Sequence, residues 1–202
     1  MVRISRISML TLSAIALMAL AAREIRAETL NLLGVGWNKS PVTVLIKAGN
    51  GVTQEAITDV ETAVHDWNSV SGAPTLQLTS GKTADIVIQM KLGGGAVLGQ
   101  TLPRTISPFS CALKRVTIQL SGKAFGQPFS DAGTSNVARH ELGHGLGLGH
   151  SDNPDDLMYA TAESSEVFGD VEVPISACDK QGIDAIYPLP LSCALPDAIS
   201  CR

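Results

Sequence analysis

Histidine is scarce in this chain of 202 residues. There are four, and three of them crowd into the stretch ARHELGHGLGLGHSD, from Ala138 to Asp152. Aromatic residues are also few, at 4% of the composition, so the 45% of apolar residues is carried mainly by aliphatic side chains. An apolar fraction of that size favours a compact domain over a disordered chain. No internal repeat and no low-complexity block is present, which excludes a solenoid or array. The four cysteines contain no C-x-x-C pair, so a zinc site made of cysteine thiolates is not expected. None of them precedes Cys111, and no lipid-modified cysteine is expected near the N-terminus.

What the N-terminus does hold is Arg3 and Arg6, an apolar run from Ile7 to Ala22, and small residues at Ala21, Ala22 and Ala27. That is the layout of a secretory signal peptide, with cleavage expected after Ala21 or Ala27. The run is short for a membrane span and carries Ser8, Thr11 and Ser13, so no stable membrane association is expected once the leader is gone. The expected organisation is a signal peptide over residues 1–27, one domain over 28–190 and a cysteine-containing tail over 191–202. About 175 mature residues suffice for one substantial core but hardly two. Losing the leader removes four arginines and one glutamate, which moves the formal net charge from −4 to −7. Nucleic acid is therefore not an expected partner. Half of the remaining acids lie between Asp152 and Asp184. Most are expected on a solvated surface, with calcium a possible ligand among them despite the lack of EF-hand spacing.

In an exported chain, Cys111, Cys178, Cys193 and Cys201 predict two disulfides among three connectivities. The short spacing inside LSCALPDAISCR favours Cys193–Cys201 with Cys111–Cys178.

PVTVLIK (Pro41 to Lys47) alternates as a strand does, and a turn follows at Gly49–Gly51. From Val52 to Val70 the residues Val52, Ala56, Ile57, Val60, Ala63, Val64, Trp67 and Val70 recur at helical spacing, with Gly72 as the stop signal. TLQLT (75–79), ADIVIQM (84–90), GAVLGQT (95–101) and RVTIQL (115–120) are short and β-prone. They predict one twisted sheet against that helix. A second helix is expected from about Thr134 through the histidines. A third begins at ISACD, where Ser176 and Asp179 form a capping box, and ends at Tyr187 before Pro188. The loop-rich segment between these last two helices is longer than a passive connection usually is.

On a helix, His140 and His144 stand one turn apart and share a face, so both imidazoles can reach one ion at roughly 2.0–2.1 Å. Glu141 cannot share their position, but it can lean toward a water on the ion. His150 would rotate off that face if the helix continued, so the chain must turn after His144. Gly145, Gly147 and Gly149 allow it, and Gly147 in particular is expected to adopt a positive φ. Three neutral nitrogen ligands, an open position and a nearby carboxylate describe a catalytic zinc site rather than a closed structural one. His65, alone on the long helix beside Asp66, is expected to be an ordinary surface or packing residue.

HELGHGLGLGH resembles the elongated zinc signature of the metzincin metallopeptidases. DDLMY, Asp155 to Tyr159, is similar to their Met-turn, with Met158 beneath the metal. SNVARHELGHGLGLGHS, LMY and ISACDKQGIDAIY together resemble the matrixins within that clan, and VETAVHDWNSVS and ADIVIQM extend the likeness more loosely over Trp37 to Tyr187. The resemblance implies an α+β zincin-like fold, with a twisted mixed sheet and three helices, one carrying the zinc motif. It also implies zinc-dependent endopeptidase activity with a single catalytic Zn2+, Glu141 as general base, and a protein or peptide substrate lying along an edge strand. GGAVLGQT is the candidate strand, with Gly94, Ala96 and Leu98 as substrate-facing positions. A monomer is expected.

The chain departs from that family in several places. Ala160 stands where astacin-like and serralysin-like relatives have a metal-binding tyrosine, and no proline follows Tyr159. The paired aspartates that open the family's last helix are reduced to Asp179, with Cys178 in the other place. With only His65 outside the motif, the second, structural zinc of vertebrate members is not expected, and no propeptide cysteine precedes Trp37. Two other functions share this chemistry: a zinc hydrolase of a non-protein amide such as a cell-wall cross-link, and a secreted binding module with a non-catalytic zinc. Glu141 argues against the second.

Overall fold

A computed structural model describes residues 28–93, 95–106, 109–187, 191 and 193–201. The expected signal peptide and Gly94 lie outside the described residues. In chain order the elements are β1 (Glu28–Leu32), β2 (Val42–Ala48), α1 (Gln54–Asn68), β3 (Leu76–Leu78), β4 (Ile86–Lys91), β5 (Gly99–Thr105) and β6 (Leu113–Ser121). A two-strand ribbon, β7 (Lys123–Ala124) and β8 (Gln127–Pro128), leads into α2 (Asp131–Gly145). Then follow β9 (Leu148–Ser151), α3 (Ser164–Phe168), α4 (Ala177–Ile186) and β10 (Ala198–Cys201).

The main sheet has five strands in the order β3-β2-β4-β6-β5. The first four run parallel, and β5 pairs antiparallel with β6 at the edge. Strict alternation along β4 and β6 sends Ile86, Ile88, Val116, Ile118 and Leu120 inward, where each aliphatic side chain removed from water contributes about 1.5–3 kcal/mol. The helices α1 and α2 lie against that face. On α1 the residues Val60, Ala63, Val64 and Trp67 are buried, the stripe that the helical spacing predicts. Thr53 caps its start by accepting from the Ala56 N–H at 3.2 Å. The helix ends at Ser69, and Gly72 lies a few residues beyond with φ +83°.

Two expectations need correction here. The strand expected at 95–101 runs instead from Gly99 to Thr105, so Ala96 and Leu98 lie in the approach to it, and Val97 stands exposed. Pro103 marks a limit in sequence, yet an edge strand tolerates proline where the missing N–H faces away from its partner. Leu98 O accepts from Ser121 N at 2.9 Å, which turns the peptide at position 98 toward β6. Alternation then puts the peptide groups of Gly99, Thr101 and Pro103 on the free edge. The helix carrying the histidines also begins earlier than Thr134. Ser130 caps it at 3.0 Å from Gly133 N, and Gly133 is required because a Cβ there would fall 2.0 Å from the Val167 carbonyl.

A second sheet of three strands, β10-β1-β9, is antiparallel throughout; the single sheet expected from sequence has this companion. A short fourth helix, α3, occupies part of the segment expected to be loop. The cysteine pairing also differs: the disulfides are Cys111–Cys193 and Cys178–Cys201. The reason is β10, which pairs with β1 in the register Glu28 to Cys201 and so carries Cys201 away from Cys193 to the start of α4.

Candidate metal centre and cleft

The C-terminal half of α2 is held from several sides. Trp67 Nε1 donates to Arg139 O and Trp37 Nε1 to Gly145 O, both at 2.9 Å, and the Tyr187 hydroxyl donates to Leu146 O at 2.7 Å. The bonds to Gly145 O and Leu146 O satisfy carbonyls that the helix end would otherwise leave without partners, and the bond to Arg139 O ties the helix body to α1. The chain turns at once after it. Gly147 has φ +105°, and a Cβ there would lie 2.2 Å from Val35 O, so both the backbone conformation and the space admit only glycine. The turn swings His150 onto β9.

His140, His144 and His150 thereby converge, with ligand atoms within 4.8 Å of one another and ring centroids 4.7, 4.8 and 5.5 Å apart. His140 Nδ1 lies 2.7 Å from Leu157 O and His144 Nδ1 2.8 Å from Leu148 O. A carbonyl only accepts, so Nδ1 carries the proton in both rings and Nε2 keeps its lone pair. Burial, and then the neighbouring His144, pushes the pKa of His140 down to about 4. Burial lowers His144 and His150 as well. All three rings are thus biased toward the neutral form that a metal requires. A divalent ion of the zinc type fits this donor set.

Met158, fully buried, lies below the helix: a Cβ on Gly143 would meet its Sδ at 2.4 Å. Its neighbour Leu157 supplies the carbonyl that orients His140, and Met158 O accepts from Ser151 N at 2.8 Å beside the third histidine. Asp179, also fully buried, caps α4 through Ser176, and burial raises its pKa. The other cluster of potential ligands among the described residues, Glu28, Asp156 and Cys178, has its cysteine committed to a disulfide.

The histidines open into a cavity of about 610 Å3. One wall is the approach to β5 and its first residues, Ala96 to Thr101, and the other is the segment from Leu157 to Val173. Sequence reasoning leaves that second wall undefined; two polar residues on α2 shape it. Asn136 Nδ2 donates to Glu166 O and Val171 O, at 2.9 and 2.7 Å, and its Oδ1 accepts from Val173 N. Arg139, only 5% exposed, donates to Val173 O at 2.5 Å and pairs with Glu172. Its Nε lies 2.8 Å from Asp66 Oδ2 on α1, close but off the N–H direction, an ion pair rather than an aligned hydrogen bond. The signal for both is their position: Asn136 is four residues before His140 and shares its side of the helix, and Arg139 is a charge inside an otherwise buried motif.

Glu141 is 6% exposed. Burial lifts its pKa to about 7, against the pull of the Thr101 hydroxyl. A carboxyl poised there can take up and release a proton near neutrality.

Residues 125–188, which include all three histidines and Met158, match the family model described as matrixin. Over that stretch the chain is similar to the matrixins. A 52-residue stretch is 44% identical to matrix metalloproteinase-2 of Drosophila melanogaster, covering 26% of this chain and 6% of that protein. Longer similarities are 28% over 162 residues to metalloendoproteinase 2-MMP of Arabidopsis thaliana and 29% over 164 residues to macrophage metalloelastase of Oryctolagus cuniculus. These cover 74% and 75% of this chain but 42% and 33% of the relatives. The chain thus spans less than half the length of the curated relatives it matches. No described helix is long and apolar enough to cross a membrane.

Proposed function

We propose that the chain is an exported, zinc-dependent endopeptidase. The observation that carries this reading is the donor set: two imidazoles held by backbone carbonyls with Nε2 free, and a third delivered by the glycine turn. His140, His144 and His150 would hold the ion. When bound, Zn2+ supplies Lewis acidity toward a scissile carbonyl and a water. Glu141 takes the proton from that water and hands it to the leaving amine. Met158 supports the cluster from below, and Gly147 sets the position of His150. The substrate backbone pairs with the free edge of β5, and the recess between α2 and Val173 receives a side chain on one side of the scissile bond. Export through the N-terminal leader and two disulfides suit an oxidising compartment.

Mass-spectrometric mapping of cleavages in a peptide library, with and without a chelator, tests the activity. Glu141→Gln should keep about one zinc per chain and a normal melting profile while activity falls by about 10² or more. Peptidase activity equal to the parent in that variant would remove Glu141 from the mechanism.

A further inference from the structure

The Glu141 side chain leans on the edge strand. Thr101 Oγ1 lies 2.5 Å from Glu141 Oε2 and 2.9 Å from Glu141 O, so one hydroxyl touches the carboxyl and the backbone of the same residue. Two positions away on β5, a Cβ on Gly99 would sit 2.5 Å from Glu141 Oε1 and 2.6 Å from its Cγ. The carboxyl therefore fills a space that any side chain at position 99 would need. Residues 99 and 101 face the same way by strand alternation, and together they form a two-residue cradle.

We propose that Thr101 is a positioning residue for Glu141, with Gly99 leaving the room the carboxyl occupies. This rests on the reading of Glu141 as the proton carrier. A glutamate has three side-chain torsions, and one left unanchored at the mouth of a cleft spreads over several rotamers; a hydroxyl fixed to the helix backbone selects one. Such pre-orientation lowers the barrier without adding substrate affinity. The hydroxyl serves the carboxyl in both forms. It donates to a carboxylate, or accepts from a protonated carboxyl while giving its own single proton to Glu141 O. The peptide groups of Gly99 and Thr101 also lie on the free edge, so a substrate strand pairing there is placed beside the carboxyl it needs.

The test uses the mature protein with Thr101→Val, Thr101→Ser, Gly99→Ala and Glu141→Gln, and Glu141→Ala with and without Thr101→Val. Thr101→Val should lower kcat about tenfold or more with KM within about twofold of the parent. Thr101→Ser, which keeps the hydroxyl, should recover most of the rate. Gly99→Ala should also lower kcat. Zinc content and affinity in chelator competition should be unchanged in Thr101→Val and Thr101→Ser. In metal-free protein, Thr101→Val should lower the melting midpoint less in a Glu141→Ala background than in the parent, because the pair is then already broken. Equal losses in Thr101→Val and Thr101→Ser, or additive midpoint shifts, overturn the proposal by assigning the effect to packing. If Thr101→Val retains the parent kcat while Glu141→Gln is inactive, the positioning role fails and the reading of Glu141 stands. If Glu141→Gln itself keeps the parent rate, both fail.

Discussion

The five-stranded and three-stranded sheets share one apolar core but differ in covalent reinforcement, and the histidine cluster spans the seam between them. His140 and His144 ride on α2, which rests on the large sheet: a Cβ on Gly145 would touch Ile118, Val116 and Ile86 at ordinary contact distances of 3.6–3.9 Å. That region is an aliphatic core whose members Val44, Ile86, Ile88, Val116 and Ile118 are fully buried. His150 belongs to β9 of the small sheet. There the strands are short, the partners come from opposite ends of the chain, and Cys178–Cys201 and Cys111–Cys193 bind the C-terminal segment to the rest. The small sheet also buries Leu30 and Leu148 completely, so one ligand depends on apolar burial reinforced by covalent staples and two depend on apolar burial without them. Zinc affinity should report on the join, whereas melting should report on either side.

Cutting the staple nearest the seam should have the largest effect. Replacing Cys178 and Cys201 together by serine frees a 23-residue separation, for which loop-closure entropy gives about 3 kcal/mol. The melting midpoint should fall, and zinc should also bind more weakly in chelator competition because β9 loses the support of β10 through β1. A melting loss with zinc affinity unchanged would show that His150 is positioned without the small sheet. Gly147→Val should come next. The positive φ alone costs about 1–2 kcal/mol, the Val35 carbonyl is in the way, and zinc affinity should drop with stability; an unchanged affinity would place the decisive turn elsewhere. The smallest effect is expected on the aliphatic side. Ile118→Val should cost about 0.5–1.5 kcal/mol in a denaturant titration and leave zinc affinity alone, and any fall in affinity would mean that the large sheet is coupled to the cluster more tightly than its contacts suggest.

The pH dependence of zinc binding sharpens the comparison further. A folded-state pKa near 4 keeps His140 neutral well below the usual imidazole value of 6.5. Zinc should therefore stay bound as pH falls from 6.5 to about 5, and release should begin only on approach to the depressed value. The metal-free fold carries the opposite consequence. Its unfolded chain takes up the His140 proton first, so this residue removes stability as pH falls through that window. Chelator competition and melting across the window check the two halves separately.

The same division decides what could be read from sequence. The large region was legible because its signals are local. The stripe from Val60 to Trp67 and the alternation in ADIVIQM and RVTIQL each specify an element within a few residues, as the Ser176 and Asp179 capping box does for α4 beside the small sheet. The spacing of the three histidines belongs to that class. The small sheet was not legible. ETLNL and AISC are too short to announce strands, and their pairing is between residues 28–31 and 198–201, a relation that no local window holds. The disulfides follow from that pairing, so proximity in sequence pointed to the wrong partners. Thr101 carries no local signal for a related reason. It closed a segment whose apolar residues drew the strand too early, and nothing in sequence tells a threonine that faces solvent from one that faces Glu141.

Pro103 on the outer strand bears on how the protein behaves in company. A sheet edge left open for a visiting strand is equally open to the same edge of another copy, and such pairing propagates as long as donors and acceptors continue. Here the outward N–H groups of the regular strand are those of Gly99 and Thr101, and at position 103 the ring nitrogen has none to offer. Beyond it, the register with β6 shifts between Arg104 and Thr105, which breaks the flat row a second sheet would need. The opening is long enough for a few residues of an extended peptide and too short for one sheet to zip onto another.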